Sequence, residues 1–329
     1  MRHLCLAILL LLAGIPPALA NNPFGLMLWP AAGEPLSLLA ARAAGLGVAW
    51  FRPPAVFIDR WRPGTPCPDC AALRHLGLNI VLTVRSDNRD ARAVPMQSYK
   101  TILASVLDAW NPAVLVIENE ENLSPRYSAA PDLYAIELAA GCALAHARGI
   151  ACANGGLSAD AAASLAWFTL LDDGKPDQAC DFARNAFYGE ADRQAGASLC
   201  AYRASKDVPA AQRARMLAGA DRLMPIYRAA PIDVLNFHWH GHDAATLATT
   251  ANLLSRLSGK PTMSNDIRLR PWDADPMFVR PLLRAAFASQ LKVAVWYSLD
   301  TAGSVSLFND DGSLRPTGAA FARQMSGRK

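Results

Sequence analysis

The chain has 329 residues, 52% of them hydrophobic, which suits one large domain with a sizeable core. Its formal net charge of +4 is mild, and its arginines do not cluster with aromatics, so nucleic-acid binding is not expected. Beyond the N-terminus no stretch is long and apolar enough to cross a bilayer, so no stable membrane span is expected.

In chain order the first element is a targeting segment. Arg2 and His3 form a short basic start, Leu4 to Leu12 an apolar run, and Gly14, Pro16 and Pro17 break it. Ala18-Leu19-Ala20 then gives an A-x-A site, so residues 1–20 read as a signal peptide cleaved after Ala20. The expected mature chain, residues 21–329, is a single domain exported to a periplasm or the outside.

Short β-branched runs then alternate with Ala/Leu segments of helical period. The predicted strands cover residues 24–29, 48–53, 79–84, 114–117, 150–154, 232–238, 261–267 and 292–298. The predicted helices cover residues 35–46, 70–76, 96–110, 131–148, 161–171, 244–257, 275–290 and 317–325. Gly45, Gly47, Gly77, Gly149 and Gly259 stand where helices end before the next strand. Eight strand–helix units predict a (β/α)8 barrel of the TIM type. A doubly wound open sheet is disfavoured, because no Gly-x-Gly-x-x-Gly follows the first strand.

The fifth and sixth strands are joined by a long connection, roughly residues 172–231, with a helical second half over 208–229. After the signal peptide six cysteines remain: Cys67, Cys70, Cys142, Cys152, Cys180 and Cys200. In an oxidising compartment they read as disulfides. Neighbour pairing is the simplest of 15 connectivities. It would staple the long connection through Cys180 and Cys200 as a rim of the barrel. Cys67-Pro-Asp-Cys70 has the spacing of a redox motif but lacks a thioredoxin-like βαβ context, so a structural loop is expected.

Function in such a barrel sits at the C-terminal ends of the strands. Those ends carry Trp29, Arg52, Arg85 with Asp87, the run Glu118-Asn119-Glu120-Glu121-Asn122, Asn154, His238-Trp239-His240, Asn265-Asp266, and Trp296-Tyr297. Carboxylates suit acid–base chemistry on acetals, and aromatic faces stack on sugar rings. Phosphate sites would instead call for glycine-rich loops. A carbohydrate ligand is therefore expected, with no cofactor, no metal and no partner chain, and so a monomer.

The strand-end motifs resemble those of the clan A glycoside hydrolases, secreted (β/α)8 enzymes. Glu118-Asn119-Glu120-Glu121-Asn122 resembles their strand-four motif, with glutamate in place of proline. The resemblance implies that Glu120 is the general acid/base and that Asn119 holds a sugar hydroxyl. Arg52 matches the arginine after strand two, and His238-Trp239-His240 stands at the family's His-x-Tyr. Trp296 matches a tryptophan under the sugar, and Ser306 to Gly312 with Arg315-Pro316 echo the closing loop. These matches imply substrate contacts from Arg52, Asn119, His238, His240, Trp296, Tyr297 and Trp29.

One position departs from the family. The nucleophile position holds Asp266, or Asn265 if the register slips by one, and the six glutamates of the chain all lie at or before residue 190. Aspartate is one C–C bond shorter, about 1.5 Å. Retaining glycosidases hold their carboxyls ~5–5.5 Å apart and inverting ones ~6.5–9.5 Å. Asp266 could thus attack, act as base for a water, or mark a barrel that only binds sugar. A metal-dependent hydrolase using His238 and His240 is the rival reading. Glu118 and Glu121 are expected at the rim or in salt bridges, and Arg268 or Arg270 beside Asp266.

Overall fold

The computed structural model describes residues 22–28, 35–86, 94–124, 126–187, 192–270, 275–299 and 306–326. Residues 1–20, Trp29 and Asp87 lie outside them. Eight parallel strands form the barrel: β1 (Phe24–Met27), β2 (Trp50–Arg52), β3 (Asn79–Arg85), β4 (Val114–Ile117), β5 (Ala151–Asn154), β6 (Leu235–His240), β7 (Thr262–Arg268) and β8 (Ala294–Trp296). Each pairs with its neighbours in chain order, and β1 pairs with β8. The ring closes between β5 and β6, where Ala153 bridges Val234, Leu157 bridges Phe237, and the His238 N–H donates to the Leu157 carbonyl at 2.8 Å. A two-residue strand, Val56–Phe57, adds to the edge of β3.

The barrel helices are α1 (Leu36–Gly45), α2 (Pro68–His75), α3 (Met96–Trp110), α4 (Pro131–His146), α5 (Ala159–Asp172), α10 (Ala244–Ser258), α11 (Val279–Ala288) and α12 (Pro316–Ser326). Between α5 and β6 the long connection folds as four helices: α6 (Pro176–Ala186), α7 (Asp192–Ser198), α8 (Ala210–Leu217) and α9 (Ala220–Ala229). They cover the outer face of α5, which is why α5 is apolar nearly all round, from Ala161 to Leu171.

Side-chain alternation builds two cores. Trp50, Val81, Val114, Val116, Ala153, Val234, Met263, Val293 and Val295 fill the barrel. Phe51, Leu82, Leu115, Ile117, Phe237 and Ile267 face the helices. A strand buried on both faces reads as a continuous apolar run, as β4 does. Neighbour pairing of the cysteines is the one that forms: Cys67–Cys70, Cys142–Cys152 and Cys180–Cys200. The last staples the insertion, and the first sits at the start of α2.

Candidate active site

The chain leaves β4 through two non-glycine residues in the left-handed region, Glu118 (φ 68°) and Glu120 (φ 50°). This turn sends successive glutamates in different directions. Glu118 points back into the protein, where its Oε1 accepts the Ser86 N–H at 2.9 Å. Its carboxyl lies beside that of Glu137 on α4, to which the Tyr127 hydroxyl donates at 3.0 Å. Glu121 is also buried and accepts from Asn154 Nδ2 at 3.0 Å and from the Tyr227 hydroxyl. Burial pushes all three carboxyls up, the neighbouring Glu137 adds to the rise at Glu118, and Glu137 itself reaches about 7. Glu118 and Glu121 are therefore buried anchors of the turn, not rim residues, because α4 and α9 bring hydroxyl and carboxyl partners to them.

Glu120 alone faces the barrel mouth. Its Oε1 takes a hydrogen bond from His238 Nδ1 at 3.0 Å, and Arg126 Nε pairs with its Oε2 at 3.3 Å. The carboxylate is 12% exposed and the His238 side chain 1%. Burial works to raise the Glu120 carboxyl, but the His238 hydrogen bond and the nearby imidazoles of His238 and His240 prevail and hold it at about 2.

Asp266 reaches the mouth through a bulge in β7. Opposite it, β6 advances two residues (Asn236 to His238) while β7 advances three (Met263 to Asp266). Against β8 the count is again one extra, between Ser264 and Ile267. Without the extra residue the inward phase set by Met263 would place Asp266 among the helices. The bulge turns it inward and Ile267 outward. Asp266 then meets His240 Nε2 at 3.3 Å. Burial opposes its charge, yet His240, His238 and Arg52 keep it well below the usual carboxylate range. Arg268 and Arg270 do not pair with it. Arg268 Nη2 reaches His240 Nδ1 at 3.3 Å, and Arg270 binds the His240 carbonyl at 3.0 Å and Asp160 at 3.2 Å.

Arg52 ties the two strand ends together. It is buried and donates to the Asn265 carbonyl at 2.7 Å and to Asn119 Oδ1 at 3.0 Å. Asn265 itself is buried and its backbone N–H binds Asn236 Oδ1 at 3.1 Å, so the group facing His240 is Asp266. Behind the site, Asn154 locks β5 to β6: Asn236 N–H donates to its Oδ1 at 2.6 Å, and its Nδ2 to the Asn236 carbonyl at 3.0 Å.

His238 and His240 stack with ring centres 6.2 Å apart. Ligand atoms of His238, His240 and Asp266 lie within 4.8 Å of one another, the spacing of a loose metal triad. The hydrogen bond at His240 does not fit a metal. Arginine only donates, so beside Arg268 the His240 Nδ1 must accept, which puts the ring proton on Nε2, toward Asp266. A metal at Nε2 would force Nδ1–H against the guanidinium N–H, where metal-bound histidines instead meet an acceptor. His238 Nδ1 faces the Glu120 carboxylate and its Nε2 has no hydrogen-bond partner among the described residues, so the case against a metal rests on His240.

The aromatic at strand eight that faces the mouth is Tyr297. Val295 fills the barrel, so Trp296 by alternation turns outward and packs edge-on against Phe321 of α12, with centres 6.0 Å apart. Tyr297 is half-buried, touches the barrel core and lies under Arg268, 5.0 Å from its guanidinium carbon. The structure thus brings Glu120, Asp266, Arg52, Asn119, His238, His240 and Tyr297 to one mouth and leaves Trp296 out. Sequence reading missed Arg126, Asn236 and Tyr227, and set Arg268 beside Asp266 where it meets His240. Asn236 was within reach, since it shares the inward phase of His238 and His240.

No protein-family model and no curated protein matches the sequence. Among solved structures the fold is similar to a GH128 (subgroup II) endo-β-1,3-glucanase from Sorangium cellulosum, with a TM-score of 0.55 and 16% identity over 91% of this chain and 97% of that one. It is similar to a GH128 (subgroup I) endo-β-1,3-glucanase from Amycolatopsis mediterranei, in complex with laminarihexaose, at a TM-score of 0.52 and 15% identity over 92% and 99%. An endo-β-1,4-mannanase from Thermotoga petrophila gives a TM-score of 0.56 and 11% identity over 94% and 77%. At these identities the likeness is one of fold, and the fold is the (β/α)8 barrel.

Proposed function

We propose that this chain is an exported glycoside hydrolase acting on a poly- or oligosaccharide, with Glu120 as acid/base and Asp266 as the second carboxylate. The observation that carries the reading is the pair itself: two carboxylates from two strand ends, β4 and β7, face one barrel mouth beside Tyr297. Similarity of fold to enzymes that cut β-1,3-glucan and β-1,4-mannan supports a sugar polymer as substrate. The N-terminal segment and three disulfides support export.

In such a reaction Glu120 gives its proton to the glycosidic oxygen as the C–O bond breaks, and Asp266 attacks the anomeric carbon or takes a proton from the attacking water. Asp266 is suited to either role, because His240 and Arg52 keep it ionised. Glu120 rests as a carboxylate and must first gain a proton. His238 and His240 hold it low, so a bound glycan has to weaken the His238 hydrogen bond while water is excluded before burial can raise the carboxyl toward an acid's range.

The low resting value of Glu120 favours a second reading, a barrel that binds glycan without cutting it. Reducing-end assays on β-glucan and mannan oligosaccharides, paired with calorimetry, separate the two. Hydrolysis by the native protein that is lost in Glu120→Gln supports the enzyme. Binding with no release of reducing ends by the native protein supports the lectin-like reading.

A further inference from the structure

Cys67-Pro-Asp-Cys70 is a motif that the barrel site leaves unused. The structure sets it at the start of α2, which crosses between the parallel strands β2 and β3. The strand–helix–strand context that the sequence did not show is therefore present. The Cys67 carbonyl accepts the Cys70 N–H at 3.1 Å, so Cys67 stands at the head of the helix and Cys70 in its first turn. A helix N-terminus offers unpaired N–H groups and the positive end of the dipole to a sulfur there, which favours a thiolate. Asp69, in the same turn, works against this, but it is exposed and water screens its charge.

The two cysteines differ in access. Cys70 is fully buried in the core, whereas Cys67 is half-buried among the exposed residues 62–66 and 68–69. An incoming thiolate therefore reaches Cys67, and Cys70 is the sulfur that leaves. The bond also does little for the fold. Its sequence separation is 3, against 10 for Cys142–Cys152 and 20 for Cys180–Cys200, and the constraint a crosslink puts on the unfolded chain grows with loop length. Cys142 and Cys152 are both fully buried, and Cys180–Cys200 staples the insertion.

We propose that Cys67–Cys70 is a redox site that accepts two electrons from a dithiol. The dithiol's thiolate attacks Cys67 Sγ, the Cys67–Cys70 bond breaks, and the electron pair leaves on Cys70 Sγ. The second thiolate of the dithiol then attacks its own sulfur in the mixed disulfide and releases Cys67 as a thiolate at the helix N-terminus. The dithiol ends as a disulfide, and of the two protons it gives up Cys70 takes one and water the other. The glycan reading of the mouth is not used here, so the two stand or fall separately.

The test equilibrates the native protein in dithiothreitol buffers of stepped reduced-to-oxidised ratio, then alkylates it and maps the cysteines by mass spectrometry. Cys67–Cys70 is expected to be half reduced at a ratio at least about tenfold below that for Cys180–Cys200, with Cys142–Cys152 still closed. In Cys70→Ser, the free Cys67 should alkylate at least about tenfold faster at neutral pH than the free Cys70 of Cys67→Ser. The titration needs no variant, so it decides the proposal where a serine variant does not fold. Reduction of Cys180–Cys200 first or at the same ratio, a Cys67–Cys70 bond that survives until the fold is lost, or a Cys70 that alkylates as fast as Cys67 overturns the proposal.

Discussion

Gly155 follows β5 directly under the turn that carries Glu120. A Cβ there would lie 2.4 Å from Glu121 Oε2, 2.6 Å from the Glu118 carbonyl carbon and 2.8 Å from the Asn119 nitrogen. Two of these neighbours are backbone, so no rotamer change relieves them. Moving the Glu118 contact from 2.6 Å to the 3.4 Å of ordinary contact displaces the turn by about 0.8 Å. Gly155→Ala is therefore expected to cost about 1–3 kcal/mol as overpacking. It should also stretch the 3.0 Å bond between Glu120 and His238. A displacement near 1 Å at reacting groups lowers catalysis by about 10²-fold. Denaturant unfolding gives the first quantity and kcat/KM on a cleaved glycan the second. Stability within about 0.5 kcal/mol of native with unchanged kcat/KM would refute the claim that β5 props this turn.

The buried acids make stability depend on pH. Glu137 titrates in the folded protein at about 7 instead of 4.5, so the folded chain holds a proton that the unfolded chain has already lost. Its contribution is complete below about 4.5 and is lost as pH rises through about 7, roughly 3 kcal/mol in all, and Glu118 acts in the same direction. Glu137→Gln mimics the protonated form, so unfolding midpoints measured from pH 4 to 8 should fall less steeply than in the native protein, and parallel curves would contradict the assignment. At strand eight, Tyr297→Ala is expected to weaken glycan binding about tenfold with little change in folding, by loss of one stacking face. Trp296→Ala should instead cost about 3–5 kcal/mol of stability, as a core truncation. A reversal of these two effects in calorimetry and unfolding would overturn the alternation drawn here.

Much of the architecture is legible in the sequence because apolar period and helix-ending glycines act locally. The α3 helix and β4 fall where the pattern places them, at Met96–Trp110 and Val114–Ile117. The site is legible as a set of strand ends, but less so in orientation. Trp296 and Tyr297 are adjacent aromatics, and only the inward phase of Val293 and Val295 shows that Tyr297 has the mouth. The β7 bulge carries no glycine to announce it, although it decides that Asp266 faces inward. The fates of Glu118 and Glu121 depend on partners far away in the chain, such as Glu137 and Tyr227, which no short motif reveals.

The central claim is that Glu120 and Asp266 work as one reacting pair. The direct test is kcat/KM for Glu120→Gln, Asp266→Asn and the double variant on a glycan the native protein cleaves. Each single change is expected to cost about 10²–10⁴-fold. Groups that act as a unit are not additive, so the double variant should be little worse than the weaker single one. Turnover within a few-fold of native in either single variant, or losses that simply multiply in the double, would contradict the pair.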